Sequence, residues 1–157
     1  MTTNFVIRPA TTADVPALVA LMTDFYAESG FVLPLVAATR TFTTLFGTPE
    51  FGAVWVAEVS GRLIGHVVLT LAFSMEYGGP RGFIDDLFVC PAARRQGAGA
   101  ALLAVARAGA LARGARALCV ETGGADHPAR SLYARAGYAE SGRTFLTQVL
   151  AAPVHAV

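Results

Sequence analysis

The chain has 157 residues, 54% of them hydrophobic and 15% charged, with a formal net charge of +1 at pH 7. That length fits one domain with a substantial core, and that composition excludes a disordered polymer. A balance so near neutrality argues against nucleic-acid binding by broad electrostatics, and Arg, Gly or Glu interrupts the apolar runs well short of the ~18 residues of a membrane span.

The opening residues, MTTNFVIRPATTADVP, lack the basic-then-apolar order of a signal peptide, so a cytoplasmic location is expected. Cys90 and Cys119 stand apart, without CxxC spacing or histidine neighbours of ligand type. Reduced thiols are expected there, with neither a disulfide nor a metal site.

In chain order, FVIRPA reads as a short strand ended by Pro9. TTADVPALVALMTDFYAES reads as a helix, with Thr11 and Asp14 in a capping-box relation and a stripe of Val15, Leu18, Met22 and Phe25. LVAATRTFTTLF is a second, shorter helix. AVWVAEVSGRLIGHVVLTLAF holds two β-rich runs around Ser60-Gly61, a hairpin signal. After the loop SMEYGGPRG comes the strand FIDDLFV, then the helix GAGAALLAVARAGALARG with Gly114 as its stop. ARALCVET is a strand and PARSLYARAG a short helix ended by Gly137, and YAES with RTFLTQVL is expected to close the sheet. The order βααβββαβαββ predicts an α/β fold with a mixed sheet, antiparallel at first and parallel across the later strand–helix–strand unit. The expected core of the domain runs from about residue 5 to 150, with 151–157 as a tail.

The segment VCPAARRQGAGAALL places two arginines and two glycines where a helix starts. Glycine lets a ligand approach the backbone, and the first N–H groups of a helix have no partner within it. Together with the helix dipole they form a site for an anion such as pyrophosphate, to which Arg94 and Arg95 would add charge-assisted hydrogen bonds. A plain turn rich in small residues would look similar. A Walker A loop needs GK[ST] where this chain has Gly99-Ala100-Ala101. A dinucleotide fingerprint needs a third small residue where Leu102 stands, although Glu121 lies near the spacing of a ribose-binding acid. A nicotinamide dehydrogenase is therefore the weaker alternative.

The order strand, Pro, Arg-x-x-Gly-x-Gly, helix, carried by Arg94, Gly97 and Gly99, resembles motif A of the GNAT superfamily of acyl-CoA-dependent N-acyltransferases. ARSLYARAGYAE is similar to that family's motif B through Ala129, Leu132, Tyr133, Gly137 and Tyr138. The element order agrees from Phe5 to about Leu150. The resemblance implies a single-domain GNAT-like fold, a mixed central sheet with helices on both faces, and a pair of strands that splay apart to admit the pantetheine arm. Those strands would be FIDDLFV and ARALCVET. Main-chain groups of Leu87, Phe88 and Val89 would pair with the arm, and the Val89 N–H would polarise the thioester carbonyl. The pyrophosphate would rest on Arg94, Arg95, Gln96, Gly97, Ala98, Gly99 and Ala100. An asparagine is frequent seven residues before the motif B tyrosine; this chain departs with Asp126, which would occupy that cofactor contact.

The implied reaction moves an acetyl group from acetyl-CoA to an amine. Such an amine is mostly protonated at neutral pH and needs a base, while the leaving thiolate needs an acid. Tyr133 stands where the family carries the acid. For the base, FIDDLFV is informative, because two adjacent carboxylates in an apolar strand are costly without water, a partner or a substrate. Strand alternation sends Asp85 and Asp86 to opposite faces. The resemblance favours Asp85 as the base and leaves Asp86 to cap a loop or pair with an arginine. Glu76 and Glu121 are further candidates. His66 is expected to pack within its strand, His127 to cap a helix, and His155 to fray with the tail.

Substrate choice in the family follows the N-terminal helices and the loop near Glu76 to Arg81. These supply Tyr26, Glu28, Phe31, Glu76 and Tyr77, with Tyr26, Glu28, Glu76 and Asp85 expected to meet a cationic amine. A primary amine of a small molecule is the expected acceptor; a protein N-terminus or lysine is the alternative. Acyl-CoA binding without turnover is a further reading, against which the tyrosine and the aspartate pair both count. RTFLTQVL is apolar enough to pair across a homodimer.

Overall fold

The computed structural model describes residues 4–124 and 127–155. Among them a five-stranded sheet runs in the order β1 (Val6–Pro9), β2 (Gly52–Val59), β3 (Arg62–Ser74), β4 (Gly79–Val89), β5 (Leu118–Val120). The first four strands are antiparallel neighbours, and β5 joins β4 in parallel. The β2–β3 turn places Ser60 and Gly61 at φ 48° and 78°, left-handed values that match the twist of a tight hairpin. Parallel entry of β5 needs a long crossover, which α3 (Ala98–Ala112) supplies.

Helices α1 (Val15–Glu28) and α2 (Leu35–Gly47) cover one face of the sheet. Leu18, Met22 and Phe42 from these helices pack there on Val54, Val56, Val68 and Phe88. The stripe read in α1 holds: Val15, Leu18 and Met22 are buried, and Phe25 packs at its edge. The Thr11–Asp14 relation also holds, with the Thr11 N–H donating to the Asp14 carboxylate at 2.8 Å, although it encloses a short 3-10 turn ahead of α1.

On the opposite face, α3 and α4 (Arg130–Arg135) pack over Ala57, Val67 and Ile84 through Ala98, Leu102, Ala106 and Tyr133. Small residues let α3 lie close to the sheet. A Cβ on Gly109 would stand 2.3 Å from the Trp55 ring, so only glycine fits that crossing.

Three expectations need correction. β4 starts at Gly79, inside the stretch read as a loop, because β3 and β4 form a long hairpin paired from Ser74–Gly79 to Gly65–Val89. ARALCVET contributes only Leu118–Val120 to the sheet. YAES and RTFLTQVL form no strand: residues 138–150 carry neither helix nor ladder, and β5 stays an edge strand.

Candidate active site

The register of β3 against β4 slips between Val68 and Leu69, which face Asp86 and Ile84, leaving Asp85 as the extra residue of a β-bulge. The bulge changes the alternation. Ile84 packs on the α3 face with Leu87 and Val89, although its even number would otherwise place it with Phe88 on the other. The two aspartates are therefore not sent to opposite faces as strict alternation predicts. Both line one cavity of about 700 Å³ between the sheet, α1, α2 and the tail residues Pro153–His155.

No arginine or lysine lies within ion-pair distance of Asp85 or Asp86 among the described residues. Asp85 reaches water at the cavity mouth while protein atoms crowd its other sides. That desolvation pushes its carboxyl pKa up, and the charges of Asp86 and Glu121 push it further. Asp86 is buried, with its carboxylate 4.0 Å from Nε2 of fully buried His66. Neither ring nitrogen of His66 has a hydrogen-bond partner among the described residues. The histidine packs edge-on to Phe42 as a strand histidine would.

Tyr26 of α1 lines the same cavity. Burial and the nearby Asp86 and Asp85 charges hold its phenol far above the usual pKa. Tyr133 of α4 is buried on the other face, where desolvation and then the Asp86 charge raise its pKa as well. A phenol so placed stays protonated at neutral pH.

The strands splay where expected. β5 pairs with β4 only from Gly82–Leu118 to Ile84–Val120, so Leu87, Phe88 and Val89 continue beyond their last β5 partner. Asp85 and Glu121 each follow that final pair directly. Past Val89 the chain turns through Arg95 at φ 65° and Gly97 at φ 92° into α3. Among the described residues, the N–H groups from Arg95 to Ala100 donate to no main-chain acceptor. Left-handed residues alternating with free N–H groups form an anion-binding concavity at a helix N-terminus, and the open space around Gly97 leaves room for the anion. A pyrophosphate therefore fits this loop on its own geometry.

The individual candidates distribute unevenly. Arg95 is exposed, without an ion pair among the described residues. Arg94 is committed elsewhere: its Nε donates to the Val89 carbonyl at 2.8 Å, it pairs with Glu28 at 2.5 Å, and it lies over Phe88. Glu28 is thereby tied to the loop and lines neither large cavity. Glu76 pairs with Arg143 at 2.7 Å on the rim of a different cavity from that of Asp85. Gln96 donates to the Ala92 carbonyl at 3.2 Å, bracing the loop. Asp126 lies outside the described residues.

Sequence reasoning missed the tail. His155, expected to fray, stacks on Phe31 at 4.1 Å and approaches Tyr26 at 5.5 Å, roofing the aspartate cavity. The apolar run before it, VLAAPV, was the only signal available. His127, expected to cap the helix, accepts from the Ala129 N–H at 3.2 Å just ahead of α4, but the cap residue is Ala129 and no side chain caps the helix.

Residues 18–138 match the acetyltransferase (GNAT) family. The chain is 34% identical over 137 residues to the uncharacterized N-acetyltransferase YhfO of Bacillus subtilis (strain 168), spanning 85% of this chain and 89% of that one. Its fold is similar to the crystal structure of integron cassette protein HFX_CASS3, from the mobile metagenome of Cole Harbour Salt Marsh. There the TM-score is 0.87 at 49% identity, over 94% of this chain and 92% of that one. A predicted acetyltransferase of Clostridium acetobutylicum, solved with acetyl-CoA, shares the fold at a TM-score of 0.79 and 18% identity, over 94% and 97% of the two chains. With a splayed strand pair, an open anion loop and a family match over most of its length, this chain belongs to the GNAT family and is an acetyl-CoA-dependent N-acetyltransferase.

Proposed function

We propose that the protein acetylates the primary amine of a small molecule by direct attack, with Asp85 as the base and Tyr133 as the acid. The observation that carries this reading is the aspartate pair, two carboxylates lining one cavity with no arginine within ion-pair distance of either among the described residues, although Arg40 lines the same cavity. Charged groups so placed are costly unless a ligand supplies the missing charge, and an ammonium group does. Elements from both ends of the chain, α1, α2 and the tail, border this open cavity beside the sheet, and the reading of a compact acceptor rests on the aspartate pair they frame.

In this scheme the acceptor enters as an ammonium beside Asp86 and Tyr26. Asp85, its pKa raised, takes one proton, directly or through water. The amine nitrogen then bonds to the thioester carbonyl carbon, and the C–S bond breaks. The sulfur leaves with the proton of the Tyr133 phenol, and the amide nitrogen loses its remaining extra proton to water. Main-chain groups from Leu87 to Val89 would hold the pantetheine arm, and the loop from Arg94 to Ala100 the pyrophosphate. Arg95 is the freer of the two arginines for that contact; Arg94 would have to share its guanidinium with Glu28 and Val89.

A thiol-release assay over a panel of small amines, N-terminal peptides and lysine peptides tests the reading. Turnover confined to small amines, and lost in both Asp85→Asn and Tyr133→Phe, is expected. Turnover with peptides alone, or an undiminished rate in Asp85→Asn, would sink it.

A further inference from the structure

His66 is a buried polar side chain that neither the fold nor the reaction above accounts for. It stands within β3, none of its surface reaches solvent, and neither Nδ1 nor Nε2 has a hydrogen-bond partner among the described residues. An imidazole carries at least one N–H in either charge state, so at least one donor goes unanswered. An unanswered buried donor forfeits stability that an apolar side chain of similar size would keep, and its presence asks for a reason.

Most of what surrounds the ring is apolar. Val56 and Phe88 face His66 across β2 and β4, and the rings of Phe42 and Phe88 lie 6.4 Å from the imidazole. Asp86 is the exception. His66 pairs in register with Phe88 and Val68 with Asp86, which makes His66 and Asp86 diagonal neighbours on one face of the sheet. Nε2 lies 4.0 Å from Oδ2 of Asp86, the one carboxylate within ion-pair distance of the imidazole among the described residues. That is about 1 Å beyond a hydrogen bond, a gap that a small rotation of the Asp86 side chain closes. Asp86 lines the acceptor cavity and His66 does not, so the imidazole can reach the cavity only through the carboxylate.

We propose that His66 is a positioning residue of the acceptor site: its Nε2–H donates to Oδ2 of Asp86 and holds that carboxylate with Oδ1 toward the incoming ammonium. The role rests on the reading that Asp86 meets the amine. A hydrogen bond to a charged group among apolar walls is stronger than one in water, and a carboxylate already oriented loses less side-chain freedom when its ligand arrives. A leucine at position 66 would pack among the same neighbours but leave Asp86 to turn.

Nitrogen-15 labelling of the three histidines reads the pairing without turnover, with His66→Gln identifying the signal. The spectra should show a proton on Nε2 that exchanges slowly with water and whose resonance moves upfield in Asp86→Asn. A bare Nε2 with the proton on Nδ1, or a resonance indifferent to Asp86→Asn, overturns the proposal. Steady-state rates at saturating acetyl-CoA, with the fastest small amine of the panel above, separate positioning from packing. His66→Leu should raise KM for the amine roughly ten-fold, with kcat and acetyl-CoA affinity little changed. His66→Gln, whose amide nitrogen reaches the place of Nε2, should recover most of that loss. A lower melting temperature with KM unchanged in His66→Leu, or no recovery in His66→Gln, reduces His66 to a packing residue and overturns the proposal. Should the leucine variant fail to fold, the Asp86→Asn spectrum decides. If no small amine turns over, the acceptor reading falls and the positioning role with it, whereas the His66–Asp86 bond is judged on its resonance alone.

Discussion

Two carboxylate clusters in this protein differ in one ingredient. Near the start of the chain, Arg8 lies between Asp14 and Glu58, with contacts of 2.8 and 2.7 Å. Hydrogen bonds from the guanidinium hold the Asp14 pKa down to about 2. At the β4 bulge, Asp85 and Asp86 are neighbours with no guanidinium within ion-pair distance among the described residues, and the Asp85 pKa moves the other way. The first cluster ties β1, the turn before α1 and β2 together, since Arg8, Asp14 and Glu58 come from those three places. A carboxylate with its cation inside the chain is structural; one without such a partner is a candidate to bind a cation from outside.

The strongest way to break this contrast is Asp85→Asn. It should lower kcat/KM by roughly 10²–10⁴-fold, the usual span for a lost general base, while acetyl-CoA affinity by calorimetry stays unchanged. The melting temperature should hold or rise, since the variant removes a charge that the folded state disfavours. A loss of stability would place Asp85 with Asp14 instead. Tyr133→Phe keeps the ring that packs on Tyr138 but removes the proton donor. A fall of about 10²-fold in kcat with KM little changed is expected, and equal activity would leave the leaving group protonated by water.

The pH dependence separates the two clusters in one preparation. The Asp14 pKa is lowered from its ordinary 3.8, so its stabilisation is complete above the ordinary value and is lost as pH falls toward about 2. The raised Asp85 pKa works oppositely: its charge opposes folding at neutral pH, and that cost disappears as pH falls through the folded value. Activity should therefore fail at a higher pH than the contribution of Asp14 to stability, as pH–rate and pH–melting profiles would show. Coincident limbs would count against Asp85 as the base.

The smallest effect concerns Arg8→Met. Arg8 is partly exposed, so solvent screening limits the loss to about 1 kcal/mol of stability, read from urea midpoints. Activity per folded molecule should not change. A larger loss, or one in activity, would mean that the cluster reaches the site through α1.

Much of this was legible in the chain because the signals were local. The α1 stripe, the Ser60-Gly61 turn, the glycine loop and the Tyr133 helix each depend on residues within one or two turns of one another. Asp85 as a candidate was legible too, because two carboxylates in an apolar strand stand out. What escaped was non-local. A bulge depends on how β3 and β4 register, and no spacing within FIDDLFV announces it. Arg94 looked free in sequence because Glu28 lies far away along the chain. The tail looked idle because its partners, Phe31 and Tyr26, belong to the other end of the protein.

By itself, then, the sequence determined the order of most elements, the glycine loop ahead of α3 and the aspartate and tyrosine candidates, because period, capping and backbone freedom are properties of short segments. Only the tertiary structure decided that both aspartates share one cavity, that one arginine is tied back to α1, and that the final apolar run finds no place in its own sheet. Those outcomes rest on strand register and on contacts between distant segments, where the free energy depends on what the rest of the chain brings alongside.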